Sequence, residues 1–191
     1  MKRVGILLAV VAFVGVATVV LAGKMVNASF ETDFGSREEL NMWGEHGDVW
    51  GEAYQVLAGK DKPITKARTG TRVLLINVPP DTWNGAWQQV SWPANAPFVV
   101  QAYYLIQGGD LPPDCATFMK AEFYDGSDGM ISYIEGERRR EQTSGQWVRD
   151  TLKGTTPDGT ASIRIILIAG SNKGGTNLVN RIYWDDCDTL E

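Results

Sequence analysis

The residues of this chain that could do chemistry are mostly carboxylates, because the sequence contains a single histidine, His46. That histidine lies in a glycine-rich stretch typical of a loop, so neither a serine–histidine–aspartate triad nor a histidine-rich zinc site can be built around it. Glycoside hydrolysis needs only two carboxylates, and Glu122, Glu135 and Glu137 are candidates. They do not form the E-x-D-x-x-E strand motif of sandwich-fold glucanases, and acids interspersed with arginines are typical of a solvated loop. We therefore predict no enzyme activity, with a polysaccharide hydrolase or lyase as the weaker alternative.

Polar and aromatic residues that alternate with apolar ones could instead bind a ligand. Successive side chains of a strand point to opposite faces of the sheet. In four segments, 86–92, 98–107, 118–125 and 162–169, the apolar residues predict a core face and leave rings, amides and charges on the other face. Rings stack on the C–H faces of sugars, and polar groups pair with their hydroxyls. The predicted ligand-binding residues are Trp83 in a loop, and Trp87, Gln89, Gln101, Tyr103, Lys120, Glu122, Tyr124 and Arg164 on strands.

Nine segments rich in β-branched and aromatic residues must position these side chains. The segments are 49–57, 71–78, 86–92, 98–107, 117–124, 130–134, 147–152, 162–169 and 180–185. Turn signals such as Pro79-Pro80-Asp81 and Gly108-Gly109-Asp110 separate them. Many short strands with almost no helix signal predict an all-β sandwich or barrel. A short helix is predicted only over 36–42, with Ser36 as its N-cap.

The beginning of the chain has the pattern of an export signal. Basic Lys2 and Arg3 precede the uncharged, mostly apolar residues 4–23, and Ala22 offers a small residue before a cleavage point. We predict a signal peptide over residues 1–22, or an uncleaved membrane anchor, since 20 uncharged residues can span a bilayer. Either outcome places the rest of the protein outside the cytoplasm, as a secreted or cell-surface domain.

Length and charge limit the partners. The 191 residues, less the signal, are enough for one domain, and the net charge is −5. An acidic chain lacks the basic footprint that nucleic-acid phosphates demand. We therefore predict no nucleic-acid partner, and contact with a membrane only through an uncleaved N-terminal segment.

Two cysteines, Cys115 and Cys187, leave two interpretations open. An exported protein can oxidise them, and a bridge between them would contribute roughly 3–5 kcal/mol by closing a long loop. They could equally be two unpaired core residues. The disulfide is weakly favoured.

Short motifs follow one another in a fixed order along most of the chain. They include Asn27–Glu31, Glu122–Asp125, Gly145–Val148, Pro157–Ile165 and Arg181–Cys187. The series resembles the jelly-roll carbohydrate-binding modules attached to secreted cellulases and xylanases, which are galactose-binding-domain-like. The resemblance implies a jelly-roll β-sandwich of two antiparallel sheets over residues 26–191, with a glycan held on the concave sheet and adjacent loops.

The same resemblance implies a structural calcium ion. In such modules the positions of Glu31 and Asp185 lie close together, and calcium commonly ties the termini to the sandwich. Calcium takes several oxygen ligands, including backbone carbonyls. A turn at 68–70 could supply carbonyls, because Gly70 permits a positive φ. The predicted metal residues are Glu31, Thr69 and Asp185.

The sequence therefore favours an exported, non-catalytic protein that binds a polysaccharide or other glycan. A different class stays open, because such modules are usually joined to an enzyme. A solitary exported sandwich could be a surface or structural protein that associates with itself in a layer or filament.

Overall fold

The structure is a computed structural model, and it describes residues 23–31, 47–79, 81–171 and 181–190. Ten strands account for most of the described chain. They are β1 (Gly47–Trp50), β2 (Ala53–Leu57), β3 (Arg72–Asn77), β4 (Trp83–Ser91), β5 (Pro97–Gln107), β6 (Cys115–Tyr124), β7 (Met130–Glu135), β8 (Val148–Thr155), β9 (Ser162–Ser171) and β10 (Arg181–Leu190).

The strands form two antiparallel sheets of five strands each. The front sheet has the order β1-β4-β9-β6-β7, and the back sheet has the order β2-β3-β10-β5-β8. Within the described ranges there is no helix, so the predicted all-β jelly-roll sandwich is confirmed. The predicted signal or anchor, the short helix over 36–42 and His46 lie outside the described residues.

No helix in the described part of the chain is long and apolar enough to cross a membrane.

The core lies between the sheets, and the predicted alternation of strand faces is confirmed. On β5, five alternate residues from Phe98 to Ile106 are all buried. On β6, Met119, Ala121 and Phe123 are buried in the same core. At about 25 cal/mol per Å² of apolar surface, each such large side chain contributes about 1.5–3 kcal/mol to folding.

One predicted strand, 49–57, is wrong. The structure divides it into β1, which pairs with β4 in the front sheet, and β2, which pairs with β3 in the back sheet. Gly51 lies between them with a φ of +64°, and a Cβ at this position would overlap the Asn84 side chain. A positive φ ends the extended conformation, so the chain changes sheets here.

The outer face of the back sheet is covered by the chain segment between β2 and β3. Ile64 and Ala67 from this segment pack on Val73, Leu75 and other outward residues of the sheet, among them Leu105 and Tyr183. The Tyr183 hydroxyl also donates to the Pro63 carbonyl oxygen at 2.9 Å. We call this cluster the second core. It leaves the front sheet as the sheet with the more open outer face.

Residues 23–31, which we call the strap, join both sheets. The Gly23 amide donates to the Ser91 carbonyl on β4, and the Cys187 amide on β10 donates to the Ala28 carbonyl. Met25 and Phe30 are buried in the main core. The strap is therefore part of the folded body.

The favoured disulfide is not formed. Cys115 begins β6 in the front sheet, whereas Cys187 lies on β10 in the back sheet, and both thiols are free and buried. Packed sheets stand about 10 Å apart, whereas bridged Cα atoms lie within about 7 Å. The Cys187 Sγ instead lies 3.8 Å from the Met25 Sδ in the strap, and burial raises the pKa of its thiol well above the ordinary value.

A partly buried ion pair links the two sheets along one side of the sandwich. Arg139 follows β7 and pairs with β6 through Thr117, and its Nη2 donates to the Asp150 Oδ1 on β8 at 2.9 Å. Asp150 is only 3 % exposed. The pair is imperfectly satisfied, because Arg139 Nε and Asp150 Oδ2 are buried without hydrogen-bond partners.

We expect Arg139→Met to lower the free energy of unfolding by about 3 kcal/mol, because it leaves the Asp150 carboxylate buried and uncompensated. The double variant Arg139→Met/Asp150→Leu should be more stable than Arg139→Met, since it removes both charges. Urea denaturation of the two variants and the parent protein measures both effects. Equal losses in the single and double variants would contradict the inter-sheet role of the pair.

Candidate functional site

Seven of the nine predicted ligand-binding residues lie together on the outer face of the front sheet. Adjacent strands set them in rows, with Gln89 of β4 opposite Arg164 of β9 and Arg164 opposite Glu122 of β6. One pair further along, Trp87 and Lys120 flank Ile166. The seven are Trp83, Trp87, Gln89, Lys120, Glu122, Tyr124 and Arg164. We call this surface the front face.

The other two residues, Gln101 and Tyr103, do not belong to this surface. Both lie on β5, which is a strand of the back sheet, and they point away from the core on the opposite side of the molecule. The Arg68 guanidinium lies over the Tyr103 ring at 3.4 Å from its centroid. Alternation along β5 identified their outward direction, but it carries no information on which sheet the strand joins.

Arg164 is the centre of the front face. Because β9 lies between β4 and β6, its guanidinium carbon stands 4.1 Å from the Trp87 ring centroid and 4.4 Å from the Tyr124 ring centroid. Its Nη2 donates to the Gln89 Oε1 at 3.0 Å, and its Nη1 lies 4.0 Å from the Glu122 Oε2. Such stacking is worth about 0.5–2 kcal/mol for each ring, so the two rings and the cation stabilise one another.

The Glu122 carboxylate is held ionised by its neighbours. Lys120 Nζ donates to one oxygen at 2.8 Å, and the Tyr124 hydroxyl donates to the other at 2.8 Å. Burial raises the pKa of Glu122, but the hydrogen bonds from Lys120 and Tyr124 and the nearby positive charges outweigh it, and the net pKa is lowered. The same arrangement, through burial and the bond to Glu122, raises the pKa of Tyr124 to about 12.

Two indole rings occupy the end of the front face beyond Trp87. A Cβ added to Gly85 would lie 2.5 Å from Trp50 Cη2, and one added to Gly170 would lie 2.6 Å from Trp83 Cδ2. The two tryptophans therefore rest on glycine backbone, and the Trp50 Nε1 donates to the Trp83 carbonyl at 2.9 Å. Trp83 was predicted in a loop, but it is the first residue of β4.

Two residues of this surface were missed from the sequence. Trp50 comes from β1, and Tyr133 comes from β7 opposite Glu122, with the Lys120 Nζ 4.2 Å from its ring centroid. Tyr133 is 53 % exposed, so its ring is accessible to a ligand. Tyr133 could have been predicted from the sequence, because it is an aromatic residue within a predicted strand. The contact of Trp50 with Gly85 could not, because it depends on the pairing of β1 with β4.

The three predicted metal residues meet at the turn of residues 68–72. The Glu31 carboxylate accepts the amides of Thr71 and Arg72 at 2.9–3.0 Å. The Asp185 Oδ2 accepts the amides of Arg68 and Thr69 at 2.9 and 3.2 Å. The turn thus presents amides to both carboxylates, where the sequence predicted carbonyls.

Asp185 is completely buried, and its neighbour Asp186 is occupied by other partners. Asp186 forms an ion pair with Arg68 and accepts the Thr69 hydroxyl at 2.6 Å. Burial first, and the charge of Asp186 second, raise the pKa of Asp185 to about 7, against the lowering effect of the backbone amides. Within the described ranges, no three acidic, histidine or cysteine side chains are grouped so that they could hold a metal by themselves. A cation here would need backbone or hydroxyl oxygens as well.

We expect Gly70→Ala to destabilise the protein more than an ordinary substitution of a positive-φ glycine. Gly70 has a φ of +55°, and a Cβ would overlap the Glu31 carboxylate. The matched control is Gly145→Ala, since Gly145 has a φ of +76° and open space around it. The control should lower the free energy of unfolding by about 1–2 kcal/mol, because alanine is strained at a positive φ. Gly70→Ala should lower it by at least about 1 kcal/mol more, because of the overlap with Glu31. Equal losses in thermal or urea unfolding would show that the Glu31 contact is not tight.

Comparison with known proteins gives structural matches only. No protein-family model matches the sequence, and no curated protein matches it. A xylan-binding CBM22-1 domain of Paenibacillus barcinonensis Xyn10C matches at 15 % identity with a TM-score of 0.54, over 88 % of this chain and 91 % of that one. TmCBM61, solved with β-1,4-galactotriose, matches at 16 % identity with a TM-score of 0.53, over 86 % and 95 % of the two chains.

A larger structure matches in part. The CBM22-1 and GH10 modules of Clostridium thermocellum xylanase 10B, complexed with xylohexaose, match at 13 % identity with a TM-score of 0.53. The match covers 90 % of this chain but 28 % of that one. At these identities the likeness establishes the fold, and the fold is the jelly-roll β-sandwich of carbohydrate-binding modules, to which the ordered motifs of the sequence pointed.

Proposed function

We propose that this protein is an exported, non-catalytic module that binds a polysaccharide on the front face. The observation that carries the proposal is the cluster of Trp87, Tyr124, Arg164, Gln89 and Glu122, a set of rings and hydrogen-bonding groups on the sheet whose outer face is not covered by the second core. The jelly-roll fold supports it as an analogy, because fold alone does not determine function.

The composition of the front face suits a sugar. A pyranose presents C–H groups that pack against aromatic rings and hydroxyls that need both donors and acceptors. Indoles and phenols supply the rings, Gln89 supplies an amide, and Lys120 and Glu122 supply a charged donor and acceptor within hydrogen-bond reach of each other. Half-buried polar groups that are already oriented lower the entropy cost of binding.

The lowered pKa of Glu122 favours binding over hydrolysis on the front face. A glycosidase needs one carboxylic acid that stays protonated near neutral pH. Glu122 has a lowered pKa, so it is a poor general acid. Glu135 and Glu137 are engaged in ion pairs, with Arg138 at 3.1 Å and with Arg139 at 2.6 Å.

A glycan-array screen of the purified protein, followed by isothermal titration of the hits, tests the proposal. We expect Trp87→Ala to weaken binding of the best ligand at least about tenfold, because it removes a ring from the centre of the site. Tyr103→Ala is the matched control, since it removes a ring from the back sheet, and it should bind like the parent protein. Failure of every glycan to bind a folded sample would refute the proposal.

Self-association is the second candidate, and β7 favours it. This strand ends the order of the front sheet among the described residues, and Met130 and Ile131 are 55 % and 40 % exposed there. An exposed apolar edge strand can pair with another chain. Size-exclusion chromatography and electron microscopy separate the candidates, since ordered assemblies indicate a structural protein and a monomer indicates a binding module.

We also propose that Glu31, Thr69 and Asp185 hold a structural calcium ion. Asp185 supports it, because a fully buried carboxylate forms no ion pair within the described part of the chain and would gain from a cation. Glu31 reaches the same turn, and calcium accepts a mixture of carboxylate, hydroxyl and carbonyl oxygens. When bound, calcium would join the strap, the turn and β10.

We expect calcium to raise the free energy of unfolding of the metal-free protein, by about 2.7 kcal/mol at a hundredfold excess over its dissociation constant. Magnesium at the same concentration should stabilise less, because it demands stricter geometry. Asp185→Asn should abolish the increment, whereas Asp61→Asn, which removes an exposed acid, should keep it. Thermal unfolding with and without calcium provides the measurement, and a parent protein unaffected by calcium would refute the site.

A further inference from the structure

Arg164, Lys120 and Glu122 lie together at the centre of the front face, and the Asp128 carboxylate beside them accepts a hydrogen bond from the Gln89 Nε2 at 3.1 Å. Arg164 and Lys120 both lie beside Glu122, at 4.0 and 2.8 Å from its oxygens. The Arg164, Lys120 and Glu122 side chains are largely buried, with exposed fractions of 22 %, 20 % and 13 %, so solvent screens their charges incompletely. Two cations therefore share one carboxylate.

Glu122 is committed to Lys120 rather than to Arg164. One of its oxygens accepts Lys120 at 2.8 Å, and the other accepts the Tyr124 hydroxyl at 2.8 Å. The Arg164 Nη1 remains 4.0 Å from that second oxygen, beyond hydrogen-bond distance. Arg164 therefore forms no hydrogen bond to a carboxylate of the described residues.

Arg164 also has hydrogen-bond donors to spare. A guanidinium has five N–H donors. The Nε and the Nη2 both donate to a single acceptor, the Gln89 Oε1, at 3.3 and 3.0 Å. No hydrogen bond from Nη1 to any described residue accompanies them. The end of the fork is therefore available to a ligand.

The neighbouring rings determine how a ligand must approach. Trp87 and Tyr124 stack on the guanidinium from the two flanking strands and restrict access to its faces. A ligand then meets the guanidinium edge-on, in the plane of its N–H groups. A carboxylate fits this approach, because it pairs with two N–H groups of an arginine side by side.

We propose that the front face selects a polysaccharide bearing carboxylates, such as one that contains uronic acid units, with Arg164 as the residue that recognises the carboxylate. This inference rests on the proposed glycan-binding function and names its ligand class. Recognition must be local, because the chain as a whole has a net charge of −5 and repels an anionic polymer at long range.

Isothermal titration with matched ligand pairs tests the inference. One pair is an oligogalacturonide and its methyl ester, and the other is a xylo-oligosaccharide with and without a glucuronic acid branch. The parent protein should bind the acidic member of at least one pair about tenfold or more tightly than the neutral member, the usual effect of a hydrogen-bonded charge. Arg164→Gln should abolish this preference, and Arg164→Lys should keep only part of it, since lysine lacks the fork.

The matched control is Arg149→Gln, which removes an exposed positive charge from β8 in the back sheet and should leave the preference unchanged. Circular dichroism checks that each variant is folded. Equal or tighter binding of the neutral members by the parent protein would overturn the inference while the glycan-binding proposal stands. Binding of neither member of either pair would overturn it as well, and the glycan array then decides separately whether the protein binds any glycan.

Discussion

The second core covers the outer face of the back sheet and leaves the outer face of the front sheet open. Any binding site on the sandwich depends on this difference. Each sheet buries one face in the main core, so its other face must be either covered by other residues or exposed to solvent. The back sheet buries its outer face under the second core, where Ile64 and Ala67 pack on Val73 and Leu75. The front sheet instead fills its outer face with rings and paired charges. Polar groups can therefore cluster on the front face while keeping access to water. Under a second core the same groups would be buried, and any that lacked a hydrogen-bond partner would cost folding free energy.

The turn at residues 68–72 connects this division to the ends of the described chain. Carboxylates from the strap and from β10 accept four of its amides, and the segment that leads into it also supplies the second core. The covering of the back sheet and the anchoring of the strap are thus one arrangement. Asp185 is buried without an ion pair among the described residues, which opposes folding, and its hydrogen bonds from backbone amides offset part of that cost.

Local periodicity in the sequence was enough for the fold class and for the direction of most side chains. Alternation identified the buried residues of β5 and β6, and it identified Trp87, Gln89, Glu122 and Arg164 as outward. It could not assign strands to sheets, because strand partners are remote in sequence. That is why Gln101 and Tyr103 were grouped with residues on the opposite side of the molecule, and why Cys115 was weakly paired with Cys187.

The backbone conformation of single residues was the second feature that could not be predicted from the sequence. A strand predicted over 49–57 is interrupted at Gly51, whose positive φ is invisible to a pattern of β-forming residues. The stacking of Arg164 between rings from two other strands likewise depends on the order of three strands. The residue types of the front face could be predicted from the sequence, whereas their contacts with one another depend on how β4, β9 and β6 pair.

The strap also fixes how the front face is presented. Gly23 is hydrogen-bonded to Ser91, the last residue of β4, and Ser91 is two residues from Gln89, about 7 Å along the strand. The first residue of the strap is therefore held next to the strand that carries Trp87. The position of Gly23 relative to the front face is thus set by strand pairing within the sandwich.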